Sequence, residues 1–261
     1  MNKHIHSKDN PWFKRLKQLS IDNTAYRVQQ RLWIEGDHLC RAAIDRGLKF
    51  SQLVFVDTVD PSVVAQWQAH SEEIIVVPQS LMESLSSLPS HSWVGGVLGL
   101  SQPSNISRSM NTLVLDGVQD PGNAGAILRS AAAFGFKQVV TAKGSVALWS
   151  GKVIRAGMGA HFGLSIFESM DISNLLELNL PVYVTSSHQG KWLHELCATQ
   201  SLEMPCMWVM GHEGQGISDA WMNANVQSVR IVQPGGEESL NVAAAAAICM
   251  HATVTQMPTR E

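Results

Sequence analysis

The chain has 261 residues, of which 45% are hydrophobic, and its formal net charge is −3. This composition allows a hydrophobic core in one large or two modest domains, and no apolar run approaches the roughly 18 residues of a membrane span. The polar N-terminal stretch lacks the apolar core of a secretory signal. The cysteines form neither a C-x-x-C pair nor a zinc pattern, so we expect buried free thiols, no bound metal and a cytoplasmic location.

Positive charge is concentrated at the start of the chain. Residues 1–50 contain ten Lys or Arg against five Asp or Glu, whereas the remaining residues contain nine against seventeen. Two interpretations stay open: a basic end that binds a polyanion, and a solvated helical face.

The first half of the chain predicts a basic helix followed by a small α/β domain. Residues 1–31 form the basic helical lead-in, because Trp12, Leu16 and Leu19 recur at helical spacing. Residues 32–100 then alternate between strands and helices, which predicts an accessory α/β domain. Its predicted elements are strand 32–36, helix 37–47 with Gly47 as its C-cap, strand 52–57, helix 62–70, strand 73–78, helix 79–88 and strand 95–100. Residues 101–111 are rich in Ser and Asn and predict a linker.

Residues 112–261 predict a second α/β domain. The predicted elements are strand 112–116, helix 123–135, strand 138–142, helix 150–160, strand 164–167, helix 172–179, strands 181–187, 206–211 and 226–232, and helix 241–255. The strands are apolar without alternation, which indicates burial on both faces and a mostly parallel sheet. Ligands bind at the carboxyl ends of the strands in such sheets. Three loops of unusual composition lie at these ends: 116–125, 211–216 and 233–239.

The first loop combines a turn with a helix start. Asp120-Pro121-Gly122 forms the turn, and Asn123 is the expected N-cap of the following helix. Arg129 lies among small residues in the second turn of that helix and requires an anionic partner. That partner is either a carboxylate such as Asp116 or a phosphate or carboxylate of a ligand.

The second and third loops are rich in glycine. The loop GHEGQG has the glycine spacing of the dinucleotide fingerprint in reverse, which argues against NAD binding. Its Glu213 is either an exposed turn charge or a site residue, and His212 is interpreted as a loop histidine. In the third loop we expect Ser239 to cap the final helix. Asn241 falls in the first turn of that helix, where free backbone N–H groups favour polar ligands.

Three segments resemble, in order and spacing, the motifs of the SpoU (TrmH-type) RNA ribose 2′-O-methyltransferases of the SPOUT superfamily: DPGNAGAILRSAAAFG, VMGHEGQGIS and IVQPGGEESLNVAAA. The stretch SGKVIRAGMGAHFGLSI is similar to the family's connecting segment. RLWIEGDHLCRAAIDRG and SHSWVGGVLGL are similar to the ends of its ribosomal-protein-like RNA-binding domain. The resemblance implies a C-terminal trefoil knot that binds S-adenosylmethionine, a homodimer that shares its active site, and an RNA substrate. Because the accessory domain is present, we expect the substrate to be ribosomal RNA, with tRNA as the second candidate.

The resemblance also assigns site residues. The implied catalytic residues are Asn123, Arg129, Glu213, Ser239 and Asn241, and the implied cofactor-binding residues are Gly211, Ile231 and Leu240. For Arg129 an electrostatic role on phosphate and a developing alkoxide is preferred over a role as base, because the guanidinium stays protonated. The chain departs from the family at His212, where a small or amide residue is usual, and at Val232-Gln233, where a proline-methionine pair is usual.

Two alternatives from other classes stay open. A non-catalytic RNA-binding protein on the same scaffold predicts loss of the polar motif residues, and Arg129, Glu213 and Asn241 are all present. A small-molecule nucleotide-binding protein is disfavoured by the reversed glycine spacing.

Overall fold

The computed structural model describes residues 2–86, 92–101, 103–235 and 239–257. Up to residue 101 the elements are β1 (Lys3–His4), α1 (Pro11–Ile21), α2 (Ala25–Gln29), β2 (Arg31–Glu35), α3 (Asp37–Ile44), β3 (Phe50–Val56), α4 (Pro61–Trp67), β4 (Ser71–Val77), α5 (Gln79–Leu85) and β5 (Val94–Gly99). The later elements are β6 (Thr112–Asp116), α6 (Pro121–Ala133), β7 (Gln138–Ala142), α7 (Gly151–Ala156), β8 (Ser165–Met170), α8 (Ile172–Leu176), β9 (Val182–Thr185), β10 (Lys191–Trp192), α9 (Leu193–Ala198), β11 (Met207–Gly211), α10 (Asp219–Met222), β12 (Gln227–Arg230) and α11 (Val242–Thr255).

The chain forms two compact units. Unit 1 comprises Met1–Ser101 together with Trp149–Phe162, and unit 2 comprises Gln102–Leu148 and Gly163–Glu261. The segment that contains α7 therefore belongs to unit 1, although it lies within the sequence range 112–261 of the predicted second domain. In the described ranges no helix is long and apolar enough to cross a membrane.

In the described part of unit 1, five strands form a mixed sheet in the order β1-β4-β3-β5-β2. Strands β1, β3 and β4 run parallel, and β5 is antiparallel to β3 and β2. The paired glycines of β5 leave room for aromatic rings. A Cβ on Gly95 would lie 2.2 Å from the Trp33 ring, and one on Gly96 would lie 2.3 Å from the Phe50 ring.

The helices of unit 1 follow local signals in the sequence. Helix α1 begins at Pro11, with Asn10 as its N-cap, and it buries Phe13 and Leu16 on one face. The structure thus shows a helix within the basic lead-in, but the lead-in is not helical throughout, because residues 3 and 4 form strand β1 and residue 31 begins β2. Helix α3 ends at Ile44 with Asp45 as its C-cap, so the predicted end of the helix at Gly47 was too late. Gly47, with a φ of +76°, and the Leu48 N–H to Ala43 carbonyl bond close the turn that follows the helix. Residues 87 and 88 of the predicted helix 79–88 lie outside the described residues.

In the described part of unit 2, seven strands form a sheet in the order β10-β12-β9-β11-β6-β7-β8, and each neighbouring pair is parallel. This arrangement confirms the predicted α/β class with a mostly parallel sheet. Every residue of β6, β7 and β11 is buried, as expected for strands that are covered on both faces.

Helices cover both faces of the unit 2 sheet. On one face, Trp208 of β11 donates from Nε1 to Oγ1 of Thr253 in α11 at 2.8 Å. On the other face, Val209 of β11 packs with Leu175 of α8 and Trp221 of α10. Successive residues of β11 therefore contact opposite layers, which is the period-two geometry of a strand.

The strand order determines where the loops lie. Strand β11 lies between β6 and β9, and β12 lies on the far side of β9. Because all these strands are parallel, their carboxyl ends share one edge of the sheet. The predicted loops 116–125, 211–216 and 233–239 follow β6, β11 and β12, so they meet at this edge. Residues 236–238 of the third loop lie outside the described residues, as does residue 102 of the predicted linker.

Strand β10 and helix α9 were missed by the sequence interpretation. They contain two and six residues, which is too short for a periodic apolar pattern to develop.

Candidate functional site

The first loop leads directly into α6. Asp120, not Asn123, is the N-cap of this helix, because its Oδ1 accepts from the Asn123 backbone N–H at 2.7 Å. Pro121 occupies the first helical position, where its fixed φ favours helix initiation. The predicted N-cap was therefore wrong by one helical turn, and the Asn123 side chain is available for other partners.

The Asn123 side chain links its own loop to the second predicted loop and to the start of α11, which follows the third predicted loop. Its Nδ2 donates to Glu213 Oε1 at 3.0 Å, and its Oδ1 accepts from Asn241 Nδ2 at 2.9 Å. The Glu213 carboxylate also accepts from the backbone N–H groups of Gln119 at 3.3 Å and Asp120 at 3.2 Å. The Glu213 carboxylate and the side-chain amides of Asn123 and Asn241 thus form one hydrogen-bonded chain, which we call the Glu213–Asn123–Asn241 chain.

The surroundings of Glu213 favour its ionised form. Burial raises the pKa of the Glu213 carboxyl, but hydrogen bonds from the Asn123 side chain and from nearby backbone N–H groups outweigh burial and lower this pKa below its usual range. Glu213 is therefore a fixed acceptor and a negative charge at the edge of the sheet.

Asn241 is the N-cap of α11. Its Oδ1 accepts from the backbone N–H of Ala243 at 2.9 Å and of Ala244 at 3.3 Å. The prediction that Ser239 caps this helix and that Asn241 lies in its first turn was therefore wrong, because the helix begins at Val242 and the residue directly before it is Asn241. Asn241 uses its oxygen for the cap and its nitrogen for Asn123.

The second loop folds back onto the end of β11. The backbone of His212 exchanges two hydrogen bonds with Gly216, each at 2.9 Å. A Cβ on Gly211 would lie 2.4 Å from the Gly216 carbonyl carbon and 2.7 Å from the Ile217 nitrogen. Position 211 therefore requires glycine, and its bare backbone allows the loop to close.

A cavity of about 590 Å³ lies at this edge of the sheet. The predicted cofactor-binding residues Gly211, Ile231 and Leu240 all line it, and so do the predicted catalytic residues Glu213, Ser239 and Asn241. The carboxyl-terminal edge of the sheet thus brings six of the eight predicted site residues into one concave surface.

Two features of the cavity were not predicted. Residues 185–188, which comprise the last residue of β9 and the three residues after it, contribute to its wall. A polar Thr-Ser-Ser-His run after a buried parallel strand was the available signal. Gln233 also lines the cavity, and its buried Oε1 has no hydrogen-bond partner among the residues that the structure describes. A buried acceptor of this kind can bind a donor from a ligand.

Arg129 lies apart from the cavity lining. It is exposed and occupies the third turn of α6, one turn later than predicted, because the helix begins at Pro121. Asp116, its candidate ion-pair partner, instead accepts from the Ser218 backbone N–H at 2.7 Å. Within the described ranges, no salt bridge or hydrogen bond engages the Arg129 side chain. The guanidinium is therefore available to a ligand or to another chain.

The cysteines and the metal-binding types of side chain indicate no second centre among the described residues. All the cysteines are free thiols, and burial raises the pKa of Cys206 to about 12. Across the described part of the chain, no group of three His, Cys, Asp or Glu side chains is placed to hold a metal ion.

The family model of the SpoU rRNA Methylase family matches residues 110–251, which contain all three motif loops and the Glu213–Asn123–Asn241 chain. The chain belongs to this family. Membership confirms the resemblance that the three motifs indicated, and with it the prediction of an RNA methyltransferase that uses S-adenosylmethionine.

Relatives of the SpoU-family chain match most of its length. It is 27% identical to the 23S rRNA (guanosine(2553)-2′-O)-methyltransferase RlmP of Bacillus subtilis, over 95% of this chain and 98% of the relative. It is 30% identical to the mitochondrial rRNA methyltransferase 3B of Danio rerio over 81% of this chain, which spans about half (51%) of that longer protein. Among solved structures, an RNA 2′-O ribose methyltransferase superposes with a TM-score of 0.76 at 28% identity, covering 97% of this chain and 98% of that one.

Proposed function

We propose that this SpoU-family protein transfers a methyl group from S-adenosylmethionine to a ribose 2′-hydroxyl of ribosomal RNA. The Glu213–Asn123–Asn241 chain carries the proposal, because it joins one residue from each of the three sequence motifs beside one cavity. The bacterial relative named above acts on a ribose 2′-oxygen of 23S rRNA according to its name, and the superposed structure is of an RNA 2′-O ribose methyltransferase.

The residues present fit S-adenosylmethionine. The cavity of about 590 Å³ is within the range of about 300–1,000 Å³ that is usual for ligands of drug size. Ile231 and Leu240 offer apolar contacts, and Gln233 Oε1 offers an acceptor for an amino group. When bound, the cofactor supplies an electrophilic methyl group on a positively charged sulfur.

Glu213, Asn123 and Asn241 position the reactants. Methyl transfer is an in-line displacement, so the protein must hold acceptor oxygen, methyl carbon and sulfur in line. The Glu213–Asn123–Asn241 chain fixes the relative positions of loops 116–125 and 211–216 and of the start of α11. Ser239 is exposed at the cavity wall, and we assign its hydroxyl to contact with the RNA.

Arg129 contributes positive charge. A ribose hydroxyl is a poor nucleophile, and its oxygen becomes more negative as its proton leaves. A guanidinium nearby stabilises this charge and also binds an RNA phosphate. Because Arg129 is exposed and lies outside the cavity lining of its own chain, we place it in the site of a partner subunit.

The surface around Arg129 fits a homodimer interface. The ring centroids of Phe134, the C-cap of α6, and His251 of α11 lie 5.7 Å apart in an edge-to-face arrangement, so the two helices lie side by side. Each helix exposes one face, with residues at i, i+3 and i+7 on α6 and at i, i+4 and i+7 on α11. The exposed residues on these faces are Ala126, Arg129 and Ala133 of α6, and Ala244, Ile248 and His251 of α11. Small residues allow two such surfaces to approach closely, and Ile248 adds apolar area.

Three further parts of the prediction belong to the same proposal. The trefoil knot is supported by the position of β11 between β6 and β9 and by the return of α11 to Asn123. RNA binding by unit 1, which contains both the basic lead-in and the accessory domain, is supported by three exposed cations on α1: Lys14, Arg15 and Lys17. The cytoplasmic location stays a prediction.

The test is methylation of purified RNA with labelled S-adenosylmethionine. We expect methyl transfer to ribosomal RNA. If only tRNA is methylated, the substrate is tRNA and the proposal of ribosomal RNA is wrong. Arg129→Ala is expected to lower the transfer rate by about 100-fold or more while cofactor binding stays unchanged. Lys137→Ala, which removes another exposed cation of unit 2, is the control and should keep full activity. Cofactor binding without transfer to any RNA would support the non-catalytic alternative.

A mixing experiment tests the shared site. Arg129→Ala and Asn241→Ala are each expected to be inactive. If Arg129 acts in the partner's cavity, mixed dimers contain one intact site, and activity returns when the two variants are combined. A strict monomer in sedimentation, or an inactive mixture of well-folded dimers, would remove the dimer proposal.

A further inference from the structure

The imidazole of His212 organises the loop that forms one wall of the cavity. Its Nδ1 accepts from the backbone N–H of Gly214 at 2.9 Å and of Gln215 at 3.2 Å. The same residue exchanges two backbone hydrogen bonds with Gly216. One side chain therefore pairs the two N–H groups at the loop tip, in the manner of the side-chain turns that Asn and Asp form.

The shape of this loop matters for the cavity. All residues from Gly211 to Ile217 line it, and Gly216 rests against the bare backbone of Gly211. If the N–H groups of Gly214 and Gln215 lost their acceptor, the loop would gain open conformations and the wall would no longer be fixed. Ligand binding would then have to order the loop, and affinity would fall.

We propose that His212 is a positioning residue that holds loop 211–216 in the shape that binds the cofactor. It does so only while its Nδ1 is unprotonated, so cofactor affinity falls on acidification. The inference rests on the proposed cofactor site. A backbone N–H can donate to Nδ1 only if that nitrogen carries a lone pair, and a protonated imidazole has none to offer. Imidazole is the side chain that ordinarily changes its charge between about pH 5 and 8.

The ionisable groups near His212 come from three segments. Glu213 follows it in the same loop, and its carboxylate is directed to Asn123. On the segment after β6, Asp116 and Asp120 accept backbone N–H bonds from Ser218 and Asn123. After β9, His188 also lines the cavity. His188 is therefore the position at which a control substitution is needed.

The experiment is calorimetric titration of the protein with S-adenosylhomocysteine between about pH 7 and about pH 5, where the ligand's amino and carboxyl groups keep their charges. We expect binding to weaken about tenfold over this range, because two backbone N–H groups lose their acceptor. His212→Asn is expected to bind throughout without the pH dependence, because an amide oxygen accepts the same bonds and does not titrate. His212→Ala is expected to bind about tenfold more weakly at both ends of the range. His188→Asn is the matched control and should keep the pH dependence of the wild-type protein.

A second readout does not depend on the ligand. In protein with ¹⁵N-labelled histidine, the His212 ring at about pH 7 should show an unprotonated Nδ1 and a proton on Nε2. A proton on Nδ1 would overturn the inference. So would unchanged affinity from about pH 7 to about pH 5 in protein that stays folded, or loss of the pH dependence in His188→Asn. Absence of binding at every pH, with the expected ring state, would instead count against the cofactor site and leave the role of His212 in the loop standing.

Discussion

The junction at Asn241 gives the sharpest test of the site, because one side chain has two separable functions. Its oxygen caps α11, and its nitrogen donates to Asn123. Loss of an N-cap costs about 1 kcal/mol, and loss of a neutral hydrogen bond costs about 1 kcal/mol. Asn241→Ala is therefore expected to lower the free energy of unfolding by about 2 kcal/mol, which corresponds to roughly 4–8 °C in the unfolding midpoint.

Asn241→Asp separates the two functions. Asp keeps an oxygen for the cap and gains about 0.5 kcal/mol from the positive end of the helix dipole, but it has no N–H to donate to Asn123. It also introduces a second carboxylate close to Glu213. We therefore expect a free energy of unfolding within about 1 kcal/mol of the wild-type value, together with loss of methyl transfer.

The assay is urea unfolding followed by the fluorescence of the buried tryptophans, with calorimetric titration of the cofactor on the same samples. If Asn241→Ala unfolds within about 0.5 kcal/mol of wild type, the cap contributes little and the magnitude above is wrong. If Asn241→Asp transfers methyl groups at the wild-type rate, the bond to Asn123 has no part in positioning the reactants.

Three other substitutions test separate contacts. Gly211→Ala should abolish cofactor binding, since its Cβ would lie 2.4 Å from neighbouring backbone, whereas Gly235→Ala, where nothing lies within 4 Å of the Cβ, should bind normally; equal binding by both in calorimetry would contradict the packing argument. Thr253→Val should lower the unfolding free energy by about 1–3 kcal/mol in urea, because it leaves the buried Nε1–H of Trp208 unpaired; an unchanged midpoint would show that this bond adds no stability. The lowered pKa of Glu213 means that its ionised form stabilises the fold above its unfolded-state pKa and that this contribution is lost as pH falls toward the folded-state value. Glu213→Gln should therefore lose less stability than wild type between about pH 5 and about pH 3, and parallel pH profiles would refute this.

Local patterns predicted much of the fold because they act over a few residues. The uninterrupted apolar residues of 112–116 and 206–211 predicted strands buried on both faces, and the alanine-rich run 243–247 predicted the final helix. Helix starts were predicted less well. Asn123 and Asp120 are both residues that cap helices, as are Ser239 and Asn241, and composition alone does not choose between such neighbours.

By itself, the sequence determined the class of the fold, the loops that carry the chemistry and the family to which the chain belongs. Only the tertiary structure decided that β11 lies between β6 and β9, that residues 185–188 complete the cavity wall, and that Arg129 is without a partner in the described part of its own chain. The bonds that join Asn123 to Glu213 and to Asn241 span 90 and 118 residues of sequence. No periodicity or turn signal extends over such distances, because local propensity depends on neighbouring residues, whereas these contacts depend on which strands pair.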